Sequence, residues 1–128
     1  MTFTATDAAE SIEGCTPRRT AGLLASRMVA AGNGEVLRVI FYGSRARGAP
    51  RSPESDWDFV VVLNRAITDV DAEEKRFKRA ALDGPTPVDN ILLDVWPIEQ
   101  TEWRTARSMY GHAARAADRE GIVLYACD

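Results

Sequence analysis

Two aspartates separated by one residue, Asp56 and Asp58, precede an apolar run in the stretch "SDWDFVVVL". Side chains at positions i and i+2 of an extended chain point to the same side, with Cα atoms about 7 Å apart. Two carboxylates in this arrangement repel each other, and a hard divalent cation relieves that repulsion. Mg²⁺ commonly takes one or two carboxylates together with substrate phosphates. The pair therefore predicts Mg²⁺ binding, and two such ions would serve a phosphoryl or nucleotidyl transfer.

A second metal ion calls for a third carboxylate from a neighbouring strand. Asp89 and Asp94 are the candidates, both within "VDNILLDVW". They are five positions apart, so in a regular strand they face opposite sides and only one can join the pair. Asp94 follows three aliphatic residues and is expected deep in the strand, where an unpaired acid is unfavourable and a metal would explain it. We therefore predict Asp94 as the third ligand, with Asp89 as the alternative.

A basic, glycine-containing turn, "GSRARG", lies between two apolar runs. Gly43 directly follows the first run, and a glycine there permits positive φ and close approach of the backbone to a ligand. Backbone N–H groups of a short helical turn, together with the Ser44 hydroxyl, would face an anion. Arg45 and Arg47 would add charge-assisted bonds to phosphates. The turn therefore predicts nucleotide binding, although it is not a Walker A sequence.

The hydrophobic pattern predicts the scaffold for these residues, a small α/β domain in which helices flank a mixed sheet of three or four strands. In the helix near residue 70, Thr68 and Asp71 predict a capping box. Its buried face would carry Val70, Phe77 and Ala81. The predicted strands are 36–42, 59–63 and 88–96, the last closed by Pro97, and the predicted helices are 16–31, 68–82, 99–107 and 112–120, before the apolar ending "GIVLYA".

Composition indicates a single globular domain of 128 residues, with 45% hydrophobic and 27% charged residues. Residues 1–15 are polar and acidic and are interpreted as a flexible N-terminal arm, whereas residues 16–128 form the domain. The formal net charge is −3, and a protein that coats duplex DNA is usually basic. We therefore expect no duplex DNA partner.

Cysteine and histidine are scarce, with Cys15, Cys127 and His112 as the whole set. This composition argues against a Cys/His zinc site and favours two reduced thiols over a disulfide. The N-terminus carries acids and no apolar core, so it is not a signal peptide, and no run reaches transmembrane length. These features predict a soluble, cytoplasmic protein without membrane contact.

The remaining notable side chains are interpreted as structural. Tyr42, directly before the glycine turn, is assigned to packing, and Trp57, Trp96 and Trp103 are assigned to the core or its edge. His112 is expected at a helix boundary and not in catalysis, because metal-assisted transfer does not require a histidine.

The order strand, Gly-Ser turn, Asp-X-Asp, strand, and an aspartate in a third strand resembles the signature of the DNA polymerase beta-like nucleotidyltransferase superfamily. Within it, the sequence looks most like the minimal nucleotidyltransferases of bacteria and archaea, and the similarity runs over residues 18–126. A departure is Trp57, a bulky spacer where an aliphatic residue is frequent. By this resemblance Gly43 and Ser44 form the nucleotide-binding turn, and the catalytic metal ligands are Asp56, Asp58 and Asp94. The charges of Arg45 and Arg47 add these two residues to the predicted nucleotide-binding set.

The resemblance implies transfer of an NMP, with AMP from ATP as the first choice, to an acceptor hydroxyl with the help of Mg²⁺. Small stand-alone relatives often act as antitoxins of HEPN-type ribonuclease toxins, either by binding the toxin or by nucleotidylating it on a tyrosine. Other relatives modify tRNA ends or small molecules. A catalytically idle module that neutralises a partner by contact is the alternative from a different class. The acceptor, the nucleotide preference and the oligomeric state stay open at this level.

Overall fold

A computed structural model of the chain describes residues 16–48, 56–109 and 112–127. Cys15 and the predicted N-terminal arm lie outside these ranges, and Cys127 is an exposed free thiol. Within the ranges, a sheet lies between two layers of helices. The strands are β1 (Val36–Tyr42), β2 (Trp57–Leu63), β3 (Leu93–Glu99) and β4 (Ile122–Ala126), and the helices are α1 (Thr16–Ala31), α2 (Gly43–Ala46), α3 (Val70–Ala81), α4 (Gln100–Ala106) and α5 (Ala113–Glu120).

The strand order across the sheet is β3-β2-β1-β4. Strand β1 runs antiparallel to both β2 and β4, while β2 and β3 are parallel. The sheet is therefore mixed, and the predicted α/β class with four strands is confirmed. Strand β2 is central, and its residues from Phe59 to Leu63 are all buried, as the continuous apolar run in the sequence predicts.

Alternate residues of the strands belong to two separate hydrophobic cores, one on each face of the sheet, because successive side chains point to opposite faces. On one face, Phe41 and Phe59 pack with α1 and α3, which contribute Leu24 and Phe77. On the other face, Ile40, Val60, Val62 and Ile98 pack against Trp103 and Ala106 of α4 and Ala114 and Ala117 of α5. The second face also carries polar side chains at both ends of the strands: Tyr42, Asp58 and Asp94 lie at one end, and Arg38 lies at the other.

Strand β3 differs from the prediction at both ends. It begins at Leu93 and not at Val88, because its partner β2 begins at Trp57, which pairs with Leu93. The segment before it turns instead, with Asn90 at a positive φ of 56°. The strand also continues through Pro97 to Glu99. Because β3 is an edge strand, a residue without an N–H is tolerated there, so the prediction that Pro97 closes the strand was wrong.

Helix α3 has a different cap from the predicted one. Asp69 is the N-cap, and its side chain accepts a hydrogen bond from the Ala72 N–H at 3.1 Å. The predicted capping box at Thr68 was therefore wrong by one residue, since the helix begins at Val70 and leaves Asp69 in the capping position. Phe77 and Ala81 are buried as predicted, but Val70 is 49% exposed because it lies in the first turn, at the edge of an open cavity.

Helices α4 and α5 lie within a residue of their predicted bounds at each end. His112 is the N-cap of α5, where its Nδ1 accepts a hydrogen bond from the Ala114 N–H at 3.0 Å. The predicted helix-boundary role of His112 is thus confirmed. Among the helices described here, none combines the length and the apolar character needed to cross a bilayer.

Candidate active site

Three polar side chains form one row across the sheet where β1 ends and β2 and β3 begin. Tyr42 of β1 pairs with Asp58 of β2, and Asp58 pairs with Asp94 of β3. Directly paired residues of neighbouring strands point to the same face. The row therefore places two carboxylates side by side with a phenol next to them, and we call Tyr42, Gly43, Asp58 and Asp94 the carboxylate end of the sheet.

Gly43 joins the glycine turn to the aspartate pair. It directly follows β1, has a positive φ of 84° and begins the short helix α2. A Cβ atom at this position would overlap the Asp58 carboxylate. Two reasons require a glycine at this position. The positive φ is strained for other residues, and the Asp58 carboxylate occupies the space that a side chain would fill. This contact brings the predicted phosphate turn directly against the predicted metal ligand.

The electrostatics of the row follow from its geometry. Partial burial, reinforced by the Asp94 and Asp56 carboxylates, raises the pKa of Asp58 to about 6. Burial together with the charges of Asp58 and Asp94 raises the pKa of Tyr42 to about 12. Both effects mean that negative charge is unfavourable in this row, so a cation placed between the oxygens would be bound favourably.

Register decides between Asp89 and Asp94. Asp94 lies directly opposite Asp58, whereas Asp89 is exposed in the segment before β3. The reason given for Asp94 from sequence was wrong, however: it is the second residue of β3 and is exposed, and it does not lie deep in the strand. Asp56 is exposed one residue before β2, close enough for its charge to raise the pKa of Asp58.

The donor set fits a hard divalent cation with two carboxylates. Asp58 and Asp94 supply oxygens from neighbouring strands, and Mg²⁺ commonly takes one or two carboxylates and completes its shell with water and substrate phosphates. Among the residues that the structure describes, no group of three or more acidic, histidine or cysteine side chains is arranged to hold a metal ion. Asp56 therefore does not complete a three-carboxylate cage with the other two.

The two arginines of the turn contact protein groups. The Arg45 guanidinium lies 4.8 Å from the centroid of the Trp57 ring, which is buried and stacked on Phe41. The Arg47 guanidinium lies 3.6 Å from the Glu120 carboxylate in an exposed ion pair. Arg45 thereby links the turn to the residue between the two aspartates. Phosphate binding by Arg45 and Arg47 remains a prediction, as do the roles of Gly43 and Ser44.

An open cavity of about 580 Å³ lies beside Asp94 and is lined partly by Tyr42, Trp96 and His112. The Trp96 and His112 rings are stacked, with centroids 5.7 Å apart. Sequence reasoning assigned these three side chains to packing or a helix boundary. Trp96 lies two residues after Asp94 and therefore on the same face of the strand, so its place beside Asp94 could have been predicted from the sequence. Nothing in the sequence indicates that His112 lies there.

The model of the nucleotidyltransferase domain family matches residues 26–113, which is more than half of the chain. The matched range includes Gly43, Ser44, Asp56, Asp58 and Asp94. A search of curated protein sequences found no match.

Proposed function

This chain belongs to the nucleotidyltransferase domain family, and we propose that it transfers AMP from ATP to an acceptor hydroxyl in a Mg²⁺-dependent reaction. The observation that carries the proposal is the pairing of Asp58 with Asp94 across two strands, with Gly43 directly against Asp58. This arrangement places metal-binding oxygens next to the turn that would bind phosphates, as transfer at an α-phosphate requires.

Each residue of the site has a proposed role. Asp58 and Asp94 would hold one divalent cation between them, and Asp56, exposed at the strand entrance, would bind a second ion together with substrate phosphates. When bound, these ions would neutralise charge on the triphosphate and on the departing pyrophosphate. Gly43 and Ser44 would bind the β- and γ-phosphates through backbone N–H groups and the hydroxyl.

The chemical step is a displacement at the α-phosphorus. The acceptor oxygen forms a bond to that phosphorus, and the bond from it to the bridging β-phosphate oxygen breaks, releasing pyrophosphate. The hydroxyl proton passes to a carboxylate oxygen of Asp94. Asp94 is exposed beside the open cavity, so an acceptor reaches it from solvent, and a carboxylate within hydrogen-bond reach serves as a general base.

The proposed acceptor is a tyrosine of a partner protein, a toxin of the HEPN type, which would make this protein its antitoxin. The support is the resemblance to minimal nucleotidyltransferases and the character of the cavity beside Asp94. Its walls include Tyr42, Trp96 and His112, and aromatic walls favour an incoming phenol ring. A tRNA end or a small molecule is the alternative acceptor.

The test uses ATP labelled at the α-phosphate, Mg²⁺ and the protein product of the neighbouring gene, or a cell extract. We expect the α-label to become attached to the acceptor, and γ-labelled ATP to leave no label. Asp58→Asn should lower the rate by at least about a hundredfold, because each metal ligand supports several kcal/mol of transition-state stabilisation. Asp89→Asn is the matched control, since Asp89 is exposed outside the strand, and it should keep its activity.

Three outcomes would contradict the proposal. Equal transfer by the Asp58→Asn variant would exclude the assigned site. Attachment of the γ-label would indicate phosphoryl transfer. Tight binding of a neighbouring toxin without any Mg²⁺·ATP binding, measured by calorimetry, would establish the catalytically idle binding module.

A further inference from the structure

A second, smaller cavity of about 100 Å³ lies at the opposite end of the same sheet face. Its basic lining comes from Arg38 near the start of β1 and from Arg104 and Arg107 at the end of α4. We call these three residues and Trp103 the arginine end of the sheet. The other lining residues are Leu37, Val62, Gln100 and Cys127.

The arginine end is separate from the carboxylate end. Arg38 and Tyr42 lie on the same face of β1, four residues apart, which corresponds to about 13 Å along an extended strand. One row of apolar side chains, which includes the paired Ile40 and Val60, fills part of that distance. A ligand in the small cavity would therefore not touch Asp58 or Asp94.

The charged residues among the described lining of this cavity are all arginines, and none of that lining is an aspartate or a glutamate. Of the acids that adjoin lining residues in sequence, Glu99 directs its carboxylate to the backbone N–H groups of Thr101 at 2.6 Å and Glu102 at 3.1 Å. The guanidinium groups and the Gln100 amide offer hydrogen-bond donors, and clustered guanidinium groups match the oxygens of phosphate.

Trp103 provides an independent observation. Its side chain lines the cavity and is only 3% exposed. Within the described residues, the buried indole Nε1–H has no hydrogen-bond acceptor. Buried N–H groups in proteins are nearly always paired, and an exception calls for a specific explanation. Trp103 therefore adds a buried indole, without a described acceptor, to the wall of this cavity beside the arginines.

We propose that the arginine end binds a single phosphate group. The lining supplies donors from the Arg104 and Arg107 guanidinium groups and the Gln100 amide, and Arg38 adds positive charge. A cavity of about 100 Å³ is smaller than the ligand pockets of about 300–1,000 Å³ that hold drug-sized molecules, so a phosphate group fits it and a whole nucleotide does not. The phosphate group would come from inorganic phosphate or from the 5′ end of a nucleotide whose nucleoside remains outside.

The test follows the indole N–H signals of the ¹⁵N-labelled protein by NMR. The chain has 3 tryptophans, and Trp57→Phe and Trp96→Phe identify the signal of Trp103. Sodium phosphate and AMP are titrated separately, at constant ionic strength and with a chelator, so that the carboxylate end holds no metal. We expect the Trp103 signal to shift saturably while those of Trp57 and Trp96 stay in place. A shift with phosphate identifies the inorganic anion, and a shift with AMP alone identifies the nucleotide.

Substitution of the arginines tests whether they bind the phosphate. Arg104→Gln and Arg107→Gln should each weaken binding by about tenfold, while Arg119→Gln, an exposed arginine of α5, should leave the affinity unchanged. The proposal would be overturned if neither ligand changed the chemical shift of the Trp103 signal. It would also be overturned if the Arg104→Gln and Arg107→Gln variants bound phosphate as tightly as the wild type. Neither result would bear on nucleotidyl transfer, because the assay contains no divalent metal ion.

Discussion

One face of the sheet carries opposite charges at its two ends. At one end, Asp58 and Asp94 are paired across neighbouring strands next to Gly43. At the other, Arg38 lies with Arg104 and Arg107 around a small cavity. Both ends share β1 and are separated by a buried apolar layer.

The two ends are built from different elements, and this difference explains why only one of them could be predicted from the sequence. The carboxylate end comes almost entirely from strands, so strand register alone brings Asp58 and Asp94 together. The arginine end needs helix α4 to lie over the start of β1, because Trp103 and Arg104 belong to that helix and Arg107 is its C-cap. The alternation of a strand is visible in a periodic sequence, whereas neither the register between two strands nor the docking of a helix on a sheet is.

The largest effect should come from separating the turn from Asp58. Gly43→Ala introduces a Cβ that overlaps the Asp58 carboxylate, so the aspartate must move. We expect nucleotidyl transfer to fall about a hundredfold, as a displacement of about 1 Å can cause. Steady-state rates with α-labelled ATP measure this loss, and the arginine end should keep its phosphate affinity.

Gly34→Ala is the matched control for this change. Gly34 has nearly the same φ, 83°, but a Cβ there would meet nothing within 4 Å. Both variants carry the backbone strain of a side chain at positive φ, which is about 1–3 kcal/mol, and only Gly43→Ala displaces Asp58. Equal activity loss in the two variants would show that strain, and not the contact with Asp58, is responsible.

A smaller effect is expected from relieving the repulsion within the carboxylate end. Without divalent metal, Asp94→Asn should stabilise the protein by roughly 0.5–1 kcal/mol, because like charges directly opposite each other in a sheet are destabilising. Urea unfolding in the presence of a chelator measures the free energy of unfolding. Asp89→Asn, which removes an exposed charge outside the strand, should have little effect, and a destabilised Asp94→Asn variant would contradict the arrangement.

The smallest effect concerns the anchoring of α4, and hence the arginine end. The backbone N–H groups of Glu102 and Thr101 bind the Glu99 carboxylate and lower its pKa from 4.5. A lowered pKa in the folded state means that the cap stabilises the protein above the unfolded pKa and is lost as the pH falls through the folded value. Glu99→Gln should therefore lower Tm slightly at neutral pH, and the difference should vanish in acid.

Glu102→Gln is the control for the cap, because Glu102 lies in the same first turn but its side chain is not the N-cap. Thermal unfolding of the three proteins at several pH values compares them. A Tm difference between wild type and Glu99→Gln that persists below the pKa of Glu99 would contradict the assigned cap.

Local patterns predicted most of the fold. Strand β1 follows from a short apolar run bounded by glycines, which act within a few residues. Helices α4 and α5 lie within a residue of their predicted bounds. The errors lie where a neighbouring element decides. The start of β3 is set by the first residue of β2, and Pro97 is accepted because the strand is at an edge. Neither fact can be derived from residues 88–99 alone.

The candidate site, like the fold, could be predicted from the sequence only in part. The Gly-Ser turn, the Asp-X-Asp pair and an aspartate in the following apolar run could be identified in the sequence, and with them the nucleotidyltransferase family. The reason given for choosing Asp94 was wrong, since it is exposed. Its register with Asp58 is what favours Asp94 over Asp89, and its role as a ligand stays a prediction. The places of Tyr42 and His112 beside the cavity could not be foreseen.

By itself, the sequence determined the class of fold and the family, and it supplied the predicted metal- and phosphate-binding residues, because these depend on residue type and short spacing. The tertiary structure decided which carboxylate faces Asp58 and which side chains line the cavity beside it. It also decided that the arginines of β1 and α4 gather around a buried indole. The physical reason is that strand register and helix docking depend on packing between segments that are distant in the chain.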